Sequence, residues 1–170
     1  MASKVCVIGL GNMLMQDDAV GLRVAEALKE TCRFEPPIDL VDGGTAGLDL
    51  LPLIEGYEMV LFVDAIDAGE PPGTVVTAEG DAVPSVLTAC SAHHAGLSDL
   101  LFAARLSGHL PAHVCLVGIQ PESVDIGLCL TETIKKRLDL LSATVLERLQ
   151  EWGVKLSARN SSGHSSSQDM

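Results

Sequence analysis

Asp17 and Asp18 stand side by side shortly after the stretch Gly9-Leu10-Gly11-Asn12. Neighbouring carboxylates repel each other, and a cation, a proton or a metal relieves that repulsion. Asp64 closes the apolar run Met59-Val60-Leu61-Phe62-Val63, and His93 lies within Ser91-Ala92-His93-His94-Ala95-Gly96-Leu97. Two carboxylates, from Asp18 and Asp64, and the His93 imidazole form a donor set suited to a divalent transition metal such as nickel or zinc, with water in the open positions. The aspartates also have a structural reading. Both fall in the first turn of an expected helix, where free amides and the macrodipole favour negative charge, and one carboxylate suffices as a cap.

Other chemistries compete for the same residues. His94 rivals His93, since adjacent helical residues point about 100° apart and only one of them faces a given cleft. Cys90, three residues before His93, raises a thiol nucleophile with an imidazole base. No G-x-S-x-G elbow occurs, and Cys90 has no helix-start position to lower its pKa, so it reads as an inert thiol. His109 and His113 flank a turn and read as solvated. The Gly9 turn also suggests a dinucleotide fingerprint, with Asp42 as ribose ligand. Leu14 occupies the place of the third glycine, and two aspartates crowd the helix start where a pyrophosphate belongs.

Alternating strand and helix signals must position these groups. Apolar or β-branched runs predict strands over residues 4–9, 38–42, 59–63 and 114–119, and an edge strand over 73–78 behind Pro71-Pro72. Helical spacing predicts a helix over 17–31, short helices over 48–54 and 85–88, and a helix from 97 capped by Ser91. A final long helix opens at Thr131 and ends at Gly153. The expected fold is a three-layer α/β/α domain with a mostly parallel twisted sheet of about five strands and one antiparallel edge strand. In such sheets ligands bind at the carboxyl edge, which Asp18, Asp64 and His93 all reach.

Composition narrows the function classes. At 170 residues, the chain suits one domain over 1–156, followed by a serine-rich tail over 157–170 read as disordered. With 47% hydrophobic residues but only 3% aromatic, the core must be built from Leu, Val, Ile and Ala. A net charge of −12 opposes nucleic acid and anionic membrane surfaces as partners. No apolar run reaches the roughly 18 to 20 residues of a membrane span, and no signal peptide is legible, so a cytoplasmic protein is expected. Five cysteines without a C-x-x-C pair support neither a disulfide framework nor a zinc knuckle.

Taken together, several motifs resemble one family. Gly9-Leu10-Gly11-Asn12 through Asp17-Asp18, Asp42-Gly43-Gly44-Thr45-Ala46-Gly47, Asp64-Ala65, Ser91-Ala92-His93-His94-Ala95-Gly96-Leu97 and Gly118-Ile119-Gln120-Pro121-Glu122-Ser123 look like the nickel-iron hydrogenase maturation endopeptidases. The resemblance runs in order from about residue 4 to 153. It implies a cytoplasmic endopeptidase that removes a short C-terminal extension from the large-subunit precursor of a nickel-iron hydrogenase after nickel insertion. It further implies that the catalytic and metal-binding residues are Asp18, Asp64 and His93, and that Asp42, Gly43, Gly44 and Thr45 take part in substrate choice. Nickel would then arrive with the substrate, although free divalent metal can occupy such a site. The family often has Pro before the histidine and Gln after it, where Ala92 and His94 stand here. A non-proteolytic nickel-binding assembly factor and a nucleotide-binding α/β module are the alternatives.

Overall fold

The computed structural model describes residues 3–90 and 95–159. Within it, β1 (Val5–Leu10) is buried along its whole length and is an interior strand of a five-stranded sheet. It pairs in parallel with β3 (Asp39–Gly44) on one side and β4 (Met59–Ala65) on the other. β4 pairs in parallel with β6 (His113–Ile119), and β5 (Val75–Glu79) closes that side antiparallel, giving the order β3-β1-β4-β6-β5. This is the expected fold class. The central strands read as unbroken apolar runs because helices cover both faces.

Each face has its own core. On one face α1 (Val20–Thr31) and α6 (Leu138–Glu151) bury Val20, Val24, Leu141 and Val145 against Val7, Leu61 and Val117. On the other, α2 (Leu51–Ile54), α3 (Ala82–Ala89) and α4 (Ala95–Ser107) bury Ile54, Leu87, Leu100 and Ala104 against Ile8, Phe62 and Leu116. Among the described residues no helix is long and apolar enough to cross a membrane.

Several boundaries differ from expectation. The helix expected from residue 17 begins at Val20, because Gln16–Ala19 form a 3₁₀ turn. β4 continues two residues beyond its apolar run and carries Asp64 inside the strand. The final helix is two pieces, α5 (Glu132–Lys135) and α6, with the Thr131 hydroxyl accepting the Ile134 amide at the start of α5. A second sheet was not expected: β2 (Cys32–Glu35) pairs antiparallel with β7 (Lys155–Ala158). Ser157 and Ala158, read from sequence as the start of the tail, belong to that strand, and residues 160–170 lie outside the described residues.

Candidate active site

The end of β1 is shaped by three close backbone approaches. A Cβ on Gly9 would lie 2.3 Å from the Gly21 carbonyl oxygen, and one on Gly21 only 2.1 Å from that of Val63. Helix α1 therefore rests directly on β1 and β4, which holds its first turn over the carboxyl edge. Gly11, at φ +135°, would place a Cβ 1.7 Å from the Asp18 carbonyl oxygen, so the turn folds back onto the aspartate pair only with glycine there.

Within the 3₁₀ turn, successive residues point about 120° apart, and the two aspartates separate. Both stand in the first turn, as the helix-start reading has it, but neither provides a side-chain cap to the 3₁₀ turn or to α1. Asp17 is fully buried and binds the strap after β6 instead. Its Oδ2 accepts the amides of Glu122 at 3.0 Å and Ser123 at 3.1 Å, and its Oδ1 accepts the Thr131 amide at 2.7 Å. The Thr131 hydroxyl adds a further donor at 2.9 Å. Asp18 is half-buried and turned to the cleft, where its Oδ2 accepts the Asn12 amide at 2.8 Å.

The cleft has a volume of about 220 Å³. It lies where β1 separates β3 from β4 and where the crossovers leave for opposite faces, the position at which open α/β sheets bind ligands. Asp18 and Asp64 both line it, with Gly44, Thr45 and Gly47 on the β3 side and Gly96, Leu97 and Leu100 at the start of α4. Asp64 is 7% exposed and pairs in register with Gly118 of β6. His93, the third expected group, lies outside the described residues, as do Ser91, Ala92 and His94. Among the described residues no three His, Cys, Asp or Glu side chains gather as a metal site.

The Asp42-Gly43-Gly44-Thr45 segment divides between two surfaces. The register of β1 and β3 slips at Gly9/Leu10, so that Leu10 pairs with Gly44, and a Cβ on Gly43 would meet Ile8 Cγ2 at 2.6 Å. This bulge turns Gly44 and Thr45 into the cleft. Asp42 stays exposed and lines a separate groove with Met13, Leu22 and Leu40.

The nucleotide alternative loses its chemistry here. The Gly11 amide donates to the Gly44 carbonyl at 2.9 Å, that of Asn12 to Asp18, and that of Leu14 to Asn12 Oδ1 at 2.9 Å. Amides that would cradle a pyrophosphate are already engaged, and Asp42 lies outside the cleft. The thiol alternative fares no better. Cys90 Sγ donates to the Val86 carbonyl, and burial, followed by the negative charge of Asp67, pushes its pKa up, which keeps it protonated. His113 begins β6 at the opposite edge, and His109 is exposed beside Glu55.

Sequence reasoning missed the two side chains that brace the cleft, Asp17 as the anchor of the strap and Gln120. Gln120 is buried, accepts the amides of Ala68 at 2.8 Å and Glu70 at 3.2 Å, and donates to Asp67 Oδ1 at 3.0 Å. It thereby fixes the loop that leaves β4 just beyond Asp64. The motif Gly118-Ile119-Gln120-Pro121-Glu122-Ser123 was a usable signal, since a polar run directly after a buried strand must place its amides and side chains on something.

Comparison with known proteins gives one answer. The sequence model of the hydrogenase maturation protease family matches residues 22–148. The chain is 37% identical over 156 residues to the hydrogenase expression/formation protein HupD of Rhodobacter capsulatus, covering 90% of this chain and 74% of that one. It is 35% identical over 153 residues to the hydrogenase 2 maturation protease of Escherichia coli, covering 89% and 93%. In three dimensions it is similar to the hydrogenase maturating endopeptidase HybD from E. coli, with TM-score 0.86, 35% identity and coverage of 92% and 98%. The [NiFe] hydrogenase maturation protease HybD from Thermococcus kodakarensis follows with TM-score 0.70, 29% identity and coverage of 86% and 98%.

Proposed function

Since the chain belongs to the hydrogenase maturation protease family and is a hydrolase of the endopeptidase type, we propose that it removes a C-terminal extension from the nickel-loaded large-subunit precursor of a nickel-iron hydrogenase. Asp18, Asp64 and His93 engage the nickel, which is cargo of the substrate. Gly44 and Thr45, carried on the bulge at Gly43, select the segment presented to the cleft, and Asp42 meets the substrate on the neighbouring surface. The observation that carries this reading is the meeting of Asp18 and Asp64 in one cleft, with Asp18 used as a cap by neither the 3₁₀ turn nor α1.

Three protein ligands hold a free ion weakly, whereas a substrate that brings its own nickel adds protein contacts to the same binding event. Such a site works as a checkpoint for metal insertion. Docking of the nickel places the scissile bond at the carboxyl edge, and a metal in that position polarises a carbonyl and lowers the pKa of bound water. A 220 Å³ cleft suits an ion with a short peptide segment better than a dinucleotide.

The test is electrophoresis of nickel-loaded precursor before and after incubation. Wild-type protein shortens it and leaves nickel-free precursor intact, while Asp18→Ala, Asp64→Ala and His93→Ala each slow processing by roughly 10²-fold or more. Full processing by all three variants overturns the residue assignment. An intact precursor in the wild-type reaction favours a non-proteolytic assembly factor. Ligation also requires a neutral imidazole, so processing declines toward acid pH, and a flat profile from pH 5 to 8 counts against His93 as a ligand.

A further inference from the structure

Two loops on the Asp18 side of the cleft display large apolar side chains to solvent. Leu14 is 58% exposed in the loop after β1, and Ile126 and Leu128 are 87% and 69% exposed in the strap after β6. Single exposed apolar residues are ordinary. These are gathered, because the two loops are joined by a parallel bridge: the Gln16 amide donates to the Gly127 carbonyl at 3.0 Å, and the Gly127 amide to that of Leu14 at 2.9 Å.

The surface is also rigidly built. Beneath it the buried Asp17 carboxylate ties the strap down at Glu122, Ser123 and Thr131. Gln16 is held at φ +45°, a left-handed conformation costly for a side chain, and a Cβ on Gly127 would approach Gln16 Cγ to 2.8 Å. A backbone already held in place loses little freedom on binding, which lowers the cost of docking a partner on it.

We propose that this ledge is the docking surface for the folded body of the precursor, a protein with an apolar patch beside its cleavable C-terminal segment. The inference rests on the function proposed above. Its occupant follows from continuity with the cleft: the loop bearing Leu14 begins at Gly11 and leads into the 3₁₀ turn that carries Asp18, and both of these residues line the cleft wall. A substrate whose scissile bond reaches Asp18 brings its body against this lip. Exposed Glu122 and Asp125 beside the apolar groups favour a basic rim on the partner.

The experiment measures both processing and binding of nickel-loaded precursor with wild-type protein, the double variant Ile126→Glu/Leu128→Glu, and Leu14→Glu. Phe102→Glu is the control, an exposed apolar residue in a separate groove with Pro84 and Leu110. Expected are unchanged circular dichroism and melting temperature, kcat/KM at least 10-fold lower through KM for the ledge variants, and wild-type values for Phe102→Glu. Wild-type kcat/KM and affinity in the ledge variants overturn the proposal, as does a wild-type dimer in sedimentation that Leu14→Glu dissociates. If wild-type protein binds precursor without shortening it, the peptidase reading fails and loss of binding in the ledge variants still decides the docking site.

Discussion

Asp17 and Asp18 are chemically identical neighbours with opposite fates. Asp17 turns inward and satisfies amides more than a hundred residues away, while Asp18 turns to the cleft and accepts only the nearby Asn12 amide among the described residues. Asp17→Ala strands several buried donors and is expected to cost about 3 kcal/mol, read as a lower urea midpoint and faster hydrogen exchange at Glu122, Ser123 and Thr131. Asp18→Ala should leave the unfolding free energy within about 1 kcal/mol of wild type, because it removes a single bond at a half-exposed site. The cysteines divide by environment in the same way. Cys6 and Cys115 are buried in strands, and desolvation pushes both thiols up to about 12, whereas Cys129 is exposed. At pH 8 a thiol reagent should label Cys129 in the native protein and reach Cys6 and Cys115 only after denaturation.

At the scale of elements, the apolar runs made β1, β4 and β6 legible, since a strand covered on both faces has no reason to alternate. The start of α1 was less so. The periodic positions Val20, Val24 and Leu28 are correctly helical, but Gln16–Ala19 tighten into a 3₁₀ turn because Gly127 and Ser123 take up the Gln16 and Asp17 amides. The β2 and β7 pair was invisible for a related reason: Cys32 pairs with Ala158, and strands so far apart leave no local signature of register. Helix α1 meets the sheet backbone to backbone at Gly21. Gly21→Ala would drive a methyl into the carbonyls of Val63 and Leu10, so a stability loss of about 3 kcal/mol is expected, with processing reduced as Asp18 moves away from Asp64. A glycine at position 14 of the fingerprint is thus not what seats this helix; Gly21 is.

For the whole molecule, the cleft follows from chain order. β1 precedes both of its neighbours, so the connections to β3 and β4 part on opposite faces and open a gap at the carboxyl edge. Each of the two cores also abuts one buried thiol, Cys115 on one face and Cys6 on the other. Cys6 and Cys115 have folded pKa values of about 12 against an ordinary value of 9.0. A raised thiol pKa leaves stability complete below pH 9 and removes it as pH rises toward 12, at roughly 1.4 kcal/mol per pH unit for each thiol. Urea midpoints measured from pH 8 to 11 should fall accordingly, and Cys115→Val should flatten the decline.

Sequence alone determined the three-layer class, the strands that form the sheet's centre and the order of motifs along its carboxyl edge. These depend on burial pattern and on glycines that only one backbone path can use. Tertiary structure alone decided which aspartate braces and which faces the cleft, that Asp42 parts from Gly44 and Thr45, and that Gln120 orients the loop beyond Asp64. Each of those outcomes is a hydrogen bond or a steric contact between segments distant in the chain, and such partners exist only once the sheet has brought its strand ends together.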